Sequence, residues 1–504
     1  TGVPNPVCWV VQNRRKKYVA FLGAINQPKK MQRINKLLSK ISSWKEKAKA
    51  RSQEISRLRR KVKDLRSSRD HWKAKYQSLR REMAAEQSGH GAEILPGPRP
   101  AGHHYSIGVI RFCLWLRQQG NCSLETCCQL VGHLLCEIGS SNRRPCRSSI
   151  RDWELKYAHH ALFETQYDPE EEWVLIPDES MCVGQECILL ILGVPLSRYR
   201  FGQALCFTDV EVLFVGVARS WKAAQIQVQF QALQDKGIRI AYVVSDGGWA
   251  LGKAIRDSQL ERIADCTHAV SNLIEKRYKK QPLFEAYSKA CADWKRKVSM
   301  SKTAPYMPPR QRSKGRFLNL DPIAKWGRQI RQLLEEKTAW LVPDLDQQLE
   351  WMQPYQSLIE EINVVSQTKQ NLFRLLKHHG FSPQTYQKAR ALIDEDQPTD
   401  WFAKGLEAYL ELLTQQAPQY DRRICCSDIV ESFFGKYKNR YPAHPARGLS
   451  QSALTIALYP QHFSQERILR AMEQTTLQKL QQWRDKHMPE NIASKRKKLF
   501  KNVA

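Results

Sequence analysis

Residues 173–180 read Trp-Val-Leu-Ile-Pro-Asp-Glu-Ser, a short apolar run that stops at a proline and an acid. Four apolar residues bounded by turn formers predict a buried strand, with Asp178 at its end. The same pattern recurs downstream. Residues 186–194 and 210–217 are further apolar runs, and Gly184 before the first of them predicts a hairpin. A helical period covers 221–234, residues 238–244 (Ile-Arg-Ile-Ala-Tyr-Val-Val) run into Ser245-Asp246, and a short helix from Trp249 precedes a last strand at 262–266. Three neighbouring strands, then helix, strand, helix, strand, predict a mixed sheet with helices on its faces, an α/β fold.

The period changes on either side of this block. From Ile34 to Met83 apolar residues recur at alternating steps of three and four, through Leu37, Ile41, Trp44, Ile55, Leu58, Val62, Leu65, Trp72 and Tyr76. Arg51 and Arg69 are the charged residues on the stripe. A 3.5-residue repeat held this long predicts a left-handed coiled coil, with a parallel homodimer as its simplest form. Residues 1–28 fit no element, 29–88 form the basic coiled coil, and 89–102 are a Gly/Pro linker. Residues 103–165 hold three short helical patterns. The third starts with Arg147, Ser148, Ser149 and Arg151, which predicts a helix-turn-helix offering these side chains to the major groove of DNA. The sheet occupies 170–275, a helical insertion 276–420, a closing helix 421–460 and a basic tail 461–504, with Ser494-Lys-Arg-Lys-Lys498 as a solvated cationic run.

The 504 residues carry 80 Lys+Arg against 50 Asp+Glu, so the formal charge is 80 − 50 = +30. Such an excess predicts a polyanionic partner, because clustered cations gain by displacing counterions from phosphates. With 42% hydrophobic residues the composition is globular, which excludes a wholly disordered chain. No apolar run approaches the roughly 18–20 residues needed to span a bilayer, the basic 13–17 follows rather than precedes the apolar CWVV as a signal peptide would have it, and the 14 cysteines are scattered. These features predict a reduced, cytoplasmic protein without a membrane partner.

Three acids stand at element ends: Asp178, Asp246 and Glu431. Carboxylates held there can bind two divalent cations about 3.5–4 Å apart, and hard oxygen ligands select Mg²⁺ or Mn²⁺. Glu431 and Lys438 are seven residues apart, two helical turns, so both lie on one face, with Lys438 set to contact a phosphate. Lys436 and Arg440 on the same helix add candidate DNA contacts. Glu179, Asp265 and Asp428 are rival ligands beside the chosen three.

At these residues the chain resembles the DDE transposases of bacterial insertion sequences, which are built on a ribonuclease H-like core. The resemblance rests on WVLIPDES, YVVSDGG, the Cys266-Thr-His268 pair, and Ser427-Asp-Ile-Val-Glu431 with Lys438. The layout, with a long helical insertion before the last Glu and N-terminal coiled-coil and helix-turn-helix parts, is nearest to the groups labelled IS66-like or ISNCY-like. It implies a bacterial, nucleoid-associated enzyme. That enzyme would bind the terminal inverted repeats of a mobile element, cleave at its ends and join the 3′-end to target DNA within an oligomer. Asp178, Asp246 and Glu431 would be the metal-binding catalytic acids.

Two further clusters read differently. Cys266 and His268 carry no matching pair of ligands nearby in sequence, so a buried thiol and a His orienting a carboxylate are expected there, not zinc. Cys122, Cys127, Cys128, Cys136 and Cys146, with His133, are expected as core thiols. Gly247-Gly-Trp-Ala-Leu-Gly252-Lys253 approaches a phosphate-cradling loop, but Ala254 stands where that loop needs a hydroxyl.

Overall fold

The computed structural model describes residues 95–137, 144–183, 186–311, 317, 320–335, 345–441 and 449–488, with scattered positions in 44–75 and 495–500; the side chains of 180–183 are outside this set. The chain divides into two compact units, Thr1–Glu93 and Ile94–Ala504.

In the first unit residues 58–70 are helical. Trp44, Ile55, Leu58, Val62, Leu65 and Trp72, all from the expected stripe, are exposed in the single chain. Residues 1–28 and most of 29–94 lie outside the described residues, and with them much of the expected coiled coil.

The second unit opens with three helices, α1 (Ile107–Gln118), α2 (Leu124–Glu137) and α3 (Arg147–Phe163). Then come β1 (Glu172–Val183), β2 (Glu186–Pro195), β3 (Glu211–Ala218), α4 (Ala223–Asp235), β4 (Arg239–Ser245), α5 (Trp249–Asp257) and β5 (Arg262–Ala264). A helical stretch follows: α6 (Cys266–Tyr278), α7 (Pro282–Val298), α8 (Asp321–Glu335), α9 (Leu345–Leu349), α10 (Gln356–His379), α11 (Pro383–Asp396) and α12 (Asp400–Gln415). The chain closes with α13 (Asp428–Arg440), a 3₁₀ segment (Gln451–Leu458), α14 (Gln465–Gln474) and α15 (Leu477–His487).

The five strands form one mixed sheet in the order β3-β2-β1-β4-β5. β1 and β2, and β2 and β3, pair antiparallel; β1 and β4, and β4 and β5, pair parallel. This sheet and its covering helices are consistent with the ribonuclease H-like expectation. β2 is buried along its whole length, so its sequence reads as a continuous aliphatic run without alternation. Side chains of β1 alternate between two cores. Trp173 and Leu175 face α4 and α5 through Ile226, Phe230, Leu233 and Leu251. Val174 and Ile176 face the other side, where all remaining helices pack.

The helices start on signals that the sequence carries. Ser106 caps α1 and Asp265 caps α6; Ser382, followed by Pro383, caps α11. Such caps satisfy backbone N–H groups that a helix leaves unpaired. The insertion has its own aromatic core, where Trp294, Trp326 and Trp351 stack with Tyr287 and Tyr355. An isolated Phe381–Arg423 bridge, outside the sheet, ties the insertion to the segment that leads into α13. Gly380 there has φ +62°, and a Cβ would lie 2.6 Å from the Arg423 carbonyl oxygen, so both the conformation and the close approach require glycine. Tyr409 donates to the Ala264 carbonyl (3.0 Å), and Cys266 N–H donates to the Cys425 carbonyl (2.8 Å).

Two expectations need correction. The segment 461–504 is not a tail up to residue 488. Ile468, Ala471, Met472, Leu480 and Trp483 are buried, and α14 and α15 pack on α3. Its Lys and Arg residues disguise two amphipathic helices. Residues 489–494, 497–498 and 501–504 lie outside the described residues. Nor is α3 a helix with a free face: Trp153, Tyr157 and Ala158 are buried, and Tyr157 donates to the His462 carbonyl (2.8 Å). Only its first turn remains open.

Candidate active site at the ends of β1 and β4

Leu175 of β1 pairs with Val243 of the parallel β4. Three residues further on stand Asp178, in the middle of β1, and Asp246, the residue just past β4, so the parallel register sets both acids at matching positions along adjacent strands. Proline at 177 does not break β1, since Pro177 faces Ile191 of β2 and the strand continues beyond it.

Parity selects between neighbours. Asp178 shares its face of β1 with Val174 and Ile176, toward α6 and α13, whereas Glu179 points to the opposite face and accepts from the Trp221 backbone N–H (3.3 Å). The Asp178 carboxyl is pushed up to about 7 by burial, then by the charge of Asp246, with Glu431 acting in the same direction and His268 opposing. Glu431 lies exposed in the first turn of α13, and that helix packs against β1. Asp246 and Glu431 thus both act on the Asp178 carboxyl, although 431 − 246 = 185 positions separate the two in sequence.

Asp246 is held by backbone geometry. Its Oδ1 accepts from Gly248 N–H (3.0 Å), while Arg262 donates to the Asp246 carbonyl (2.7 Å) and to Ser245 Oγ (3.0 Å). Arg262, absent from the sequence reading, fixes the turn after β4 from its register position opposite Val243.

His268 and Asp265 form the support. Asp265 is fully buried; its Oδ2 accepts from both the backbone N–H and Nδ1 of His268 (2.8 Å each), and its Oδ1 accepts from Ser427 N–H (2.6 Å). That hydrogen bond, with the charges of Asp265, Asp246 and Asp178, pushes the imidazole up to about 9 against the effect of burial. His268 is thus a cation at neutral pH beside the acidic pair. Asp428, the rival of Glu431, is occupied elsewhere: Thr267 Oγ1 donates to its Oδ1 (2.7 Å) and Lys377 Nζ to its Oδ2 (3.2 Å).

The candidate DNA contacts separate into four groups. Lys438 is exposed on α13, its Nζ 5.9 Å from the Phe434 ring. Lys436 is half-buried against the rings of Tyr459 and Phe207 (4.6 and 5.1 Å), and burial lowers its pKa. Arg440 is not a surface contact. It is buried and paired with Glu154 of α3 (2.5 Å), which also meets Arg117 of α1 (3.1 Å) and accepts from Gln118 (3.1 Å). The helical period placed Arg440 on α13 but gave no sign of the buried glutamate facing it. At the start of α3, Arg147 and Arg151 are exposed, near Glu125 (3.5 Å) and paired with Asp152 (3.1 Å). Ser148 and Ser149 both hydrogen-bond Cys146 Sγ.

Cysteines also depart from expectation. Cys127 and Cys128 are buried as expected, but Cys136 and Cys146 are exposed because they fall on the outer side of α2 and before α3. Cys187 is disulfide-bonded, against the reading of a uniformly reduced chain. No helix among the described residues is long and apolar enough to cross a membrane.

No family model matches this chain, and no curated protein does. Among solved structures it is similar to the Drosophila P element transposase in a strand transfer complex, with TM-score 0.37 and 11% identity over 79% of this chain and 98% of that one.

Proposed function

We propose that this chain is a DNA transposase of the DDE kind, which cleaves at the ends of a mobile element and joins the freed 3′-end to target DNA. What carries the reading is Asp178: burial first, then the charge of Asp246 and, further down, that of Glu431 raise its carboxyl to about 7, which supports an acidic site shared by these residues. Such a donor set fits hard divalent cations, which relieve the repulsion. Asp178, Asp246 and Glu431 would hold Mg²⁺ or Mn²⁺, two ions in the full site. Bound ions of this kind supply activation of a hydroxyl and stabilisation of the leaving oxygen at phosphorus.

The chain's own residues do the rest. Lys438, two turns beyond Glu431, lies along the path of a DNA backbone and neutralises a phosphate there. His268 balances the acids and holds the start of α6 through Asp265. In the transfer step the 3′-oxygen of the element end forms a new bond to a target phosphorus. The bond from that phosphorus to the target's own 3′-oxygen breaks, and that oxygen leaves as the hydroxyl. Arg147, Ser148, Ser149 and Arg151 supply contacts to the element end, and the stripe along 34–83 pairs two copies in parallel.

The test is Asp246→Asn, assayed with labelled element ends and a target duplex in Mn²⁺. Retained end binding with loss of joined product is expected. Absence of joining by the unmodified chain would leave a basic, non-catalytic DNA-binding protein.

A further inference from the structure

The sequence offered Cys266 and His268 without partners for a metal, and folding supplies them. Cys266 opens α6 directly after its cap Asp265, and Cys426 immediately precedes Ser427 at the start of α13. One carboxylate oxygen of Asp265 and the Sγ atoms of Cys266 and Cys426 all lie within 4.8 Å of one another, and all three residues are buried. Zinc bound at about 2.3 Å by sulfur requires donors about 3.8 Å apart along each tetrahedral edge. The spacing is therefore within 1 Å of what an ion would draw together. Thr267 Oγ1 stands 3.9 Å from Cys266 Sγ and 4.0 Å from Cys426 Sγ, and it donates its proton to Asp428, which leaves its lone pairs free. Beside Cys426, a cavity of about 10 Å³ lined by Cys425, Lys377 and Asp428 has about the size of one water. A fourth ligand is thus available as hydroxyl or water.

We propose that Cys266, Cys426 and Asp265 form a structural zinc site that staples the start of α6 to the start of α13. Soft thiolates select zinc over the hard Mg²⁺ or Mn²⁺ of the carboxylate pocket, so the two sites take different ions. His268 supports the ligand Asp265 through its Nδ1–H, the outer-sphere arrangement that fixes a metal-binding group. Two buried thiols alone would be ordinary core residues. What distinguishes them is the fully buried carboxylate within ligand distance and the position, where two segments 426 − 266 = 160 residues apart converge. The staple closes the base of the helical insertion and fixes α13, which carries Glu431, against α6, which carries His268.

The full-length chain, purified without chelators and dialysed, is expected to retain about one zinc per chain, measured by plasma mass spectrometry. Exchange with Co²⁺ is expected to give a thiolate-to-cobalt charge-transfer band in the near ultraviolet. Both signals disappear in Cys266→Ser and Cys426→Ser and persist in Cys136→Ser, an exposed thiol elsewhere. Co²⁺ in the carboxylate pocket gives no such band, so failure of the catalytic reading and failure of this one are read separately. Should the two serine variants not fold, titration of the unmodified chain with an organomercurial is expected to release zinc in step with thiol modification. A chain without retained zinc and without the cobalt band, a band that survives both substitutions, or a Cys266–Cys426 disulfide in peptide mass spectra would overturn the proposal.

Discussion

Replacing Asp178 by Asn is expected to make the metal-free chain more stable above neutrality while abolishing its response to divalent cations. The folded chain raises this carboxyl from 3.8 to about 7, with burial as the largest cause and Asp246 next. An acid whose folded pKa exceeds its unfolded value binds its proton more tightly when folded. Its contribution is then complete below about pH 4 and is lost progressively as pH rises to about 7. At about 1.4 kcal/mol per pKa unit, the ionised carboxylate costs up to about 4 kcal/mol at pH 8 and about 1.5 kcal/mol at pH 5. Partial contact with solvent lowers the first figure, so Asn is expected to recover about 2–4 kcal/mol at pH 8 and clearly less at pH 5. The assay is urea unfolding of both chains in EDTA at the two pH values, repeated with saturating Mn²⁺. Mn²⁺ at a hundredfold excess over its Kd should add about 2.7 kcal/mol to the unmodified chain and nothing to the variant. A gain of equal size at both pH values, or a loss at pH 8, would refute the claim that burial and the neighbouring acids hold the Asp178 carboxyl up.

Three other outcomes follow from the same geometry. Glu154→Gln leaves Arg117 and Arg440 buried without a counter-charge and is expected to cost about 3–5 kcal/mol in denaturant unfolding, with little dependence on salt. Val62→Asp, at the centre of the exposed stripe, is expected to abolish self-association in sedimentation velocity without changing the circular dichroism of the second unit. Lys438→Ala is expected to weaken binding to all duplex sequences alike, and to reduce the slope of log affinity against log salt by about one.

The strands were legible because their apolar runs and punctuating Gly, Pro and Asp are local signals. Residues 238–244 fall within one position of β4, and β1 and β2, expected as a hairpin around Gly184, pair antiparallel, with Gly184 itself outside the described residues. Asp178 and Asp246 were singled out on the same kind of local signal, an apolar run followed by an acid, although β1 continues past Asp178. Tertiary partners left no such trace. Nothing near Arg440 announces Glu154, nearly three hundred residues earlier, and nothing near Cys266 announces Cys426. Asp265 read as a rival of Asp246 for the carboxylate site because a carboxylate beside a strand end reads alike whether it faces solvent or caps the next helix. The length of β1 was also underestimated, since Pro177 normally ends a strand, yet here β2 pairs beyond it.

The insertion between β5 and α13 has a temporal meaning. Synthesis at roughly 5–20 residues per second means that Asp246 leaves the ribosome roughly 10–40 seconds before Glu431 follows across the intervening 431 − 246 = 185 positions. During that interval the nascent polypeptide holds the residues of its sheet and Asp246, yet lacks Glu431. On the proposed function, translation itself would act as a safety catch, since a truncated product could occupy an element end but would lack the means to cut it.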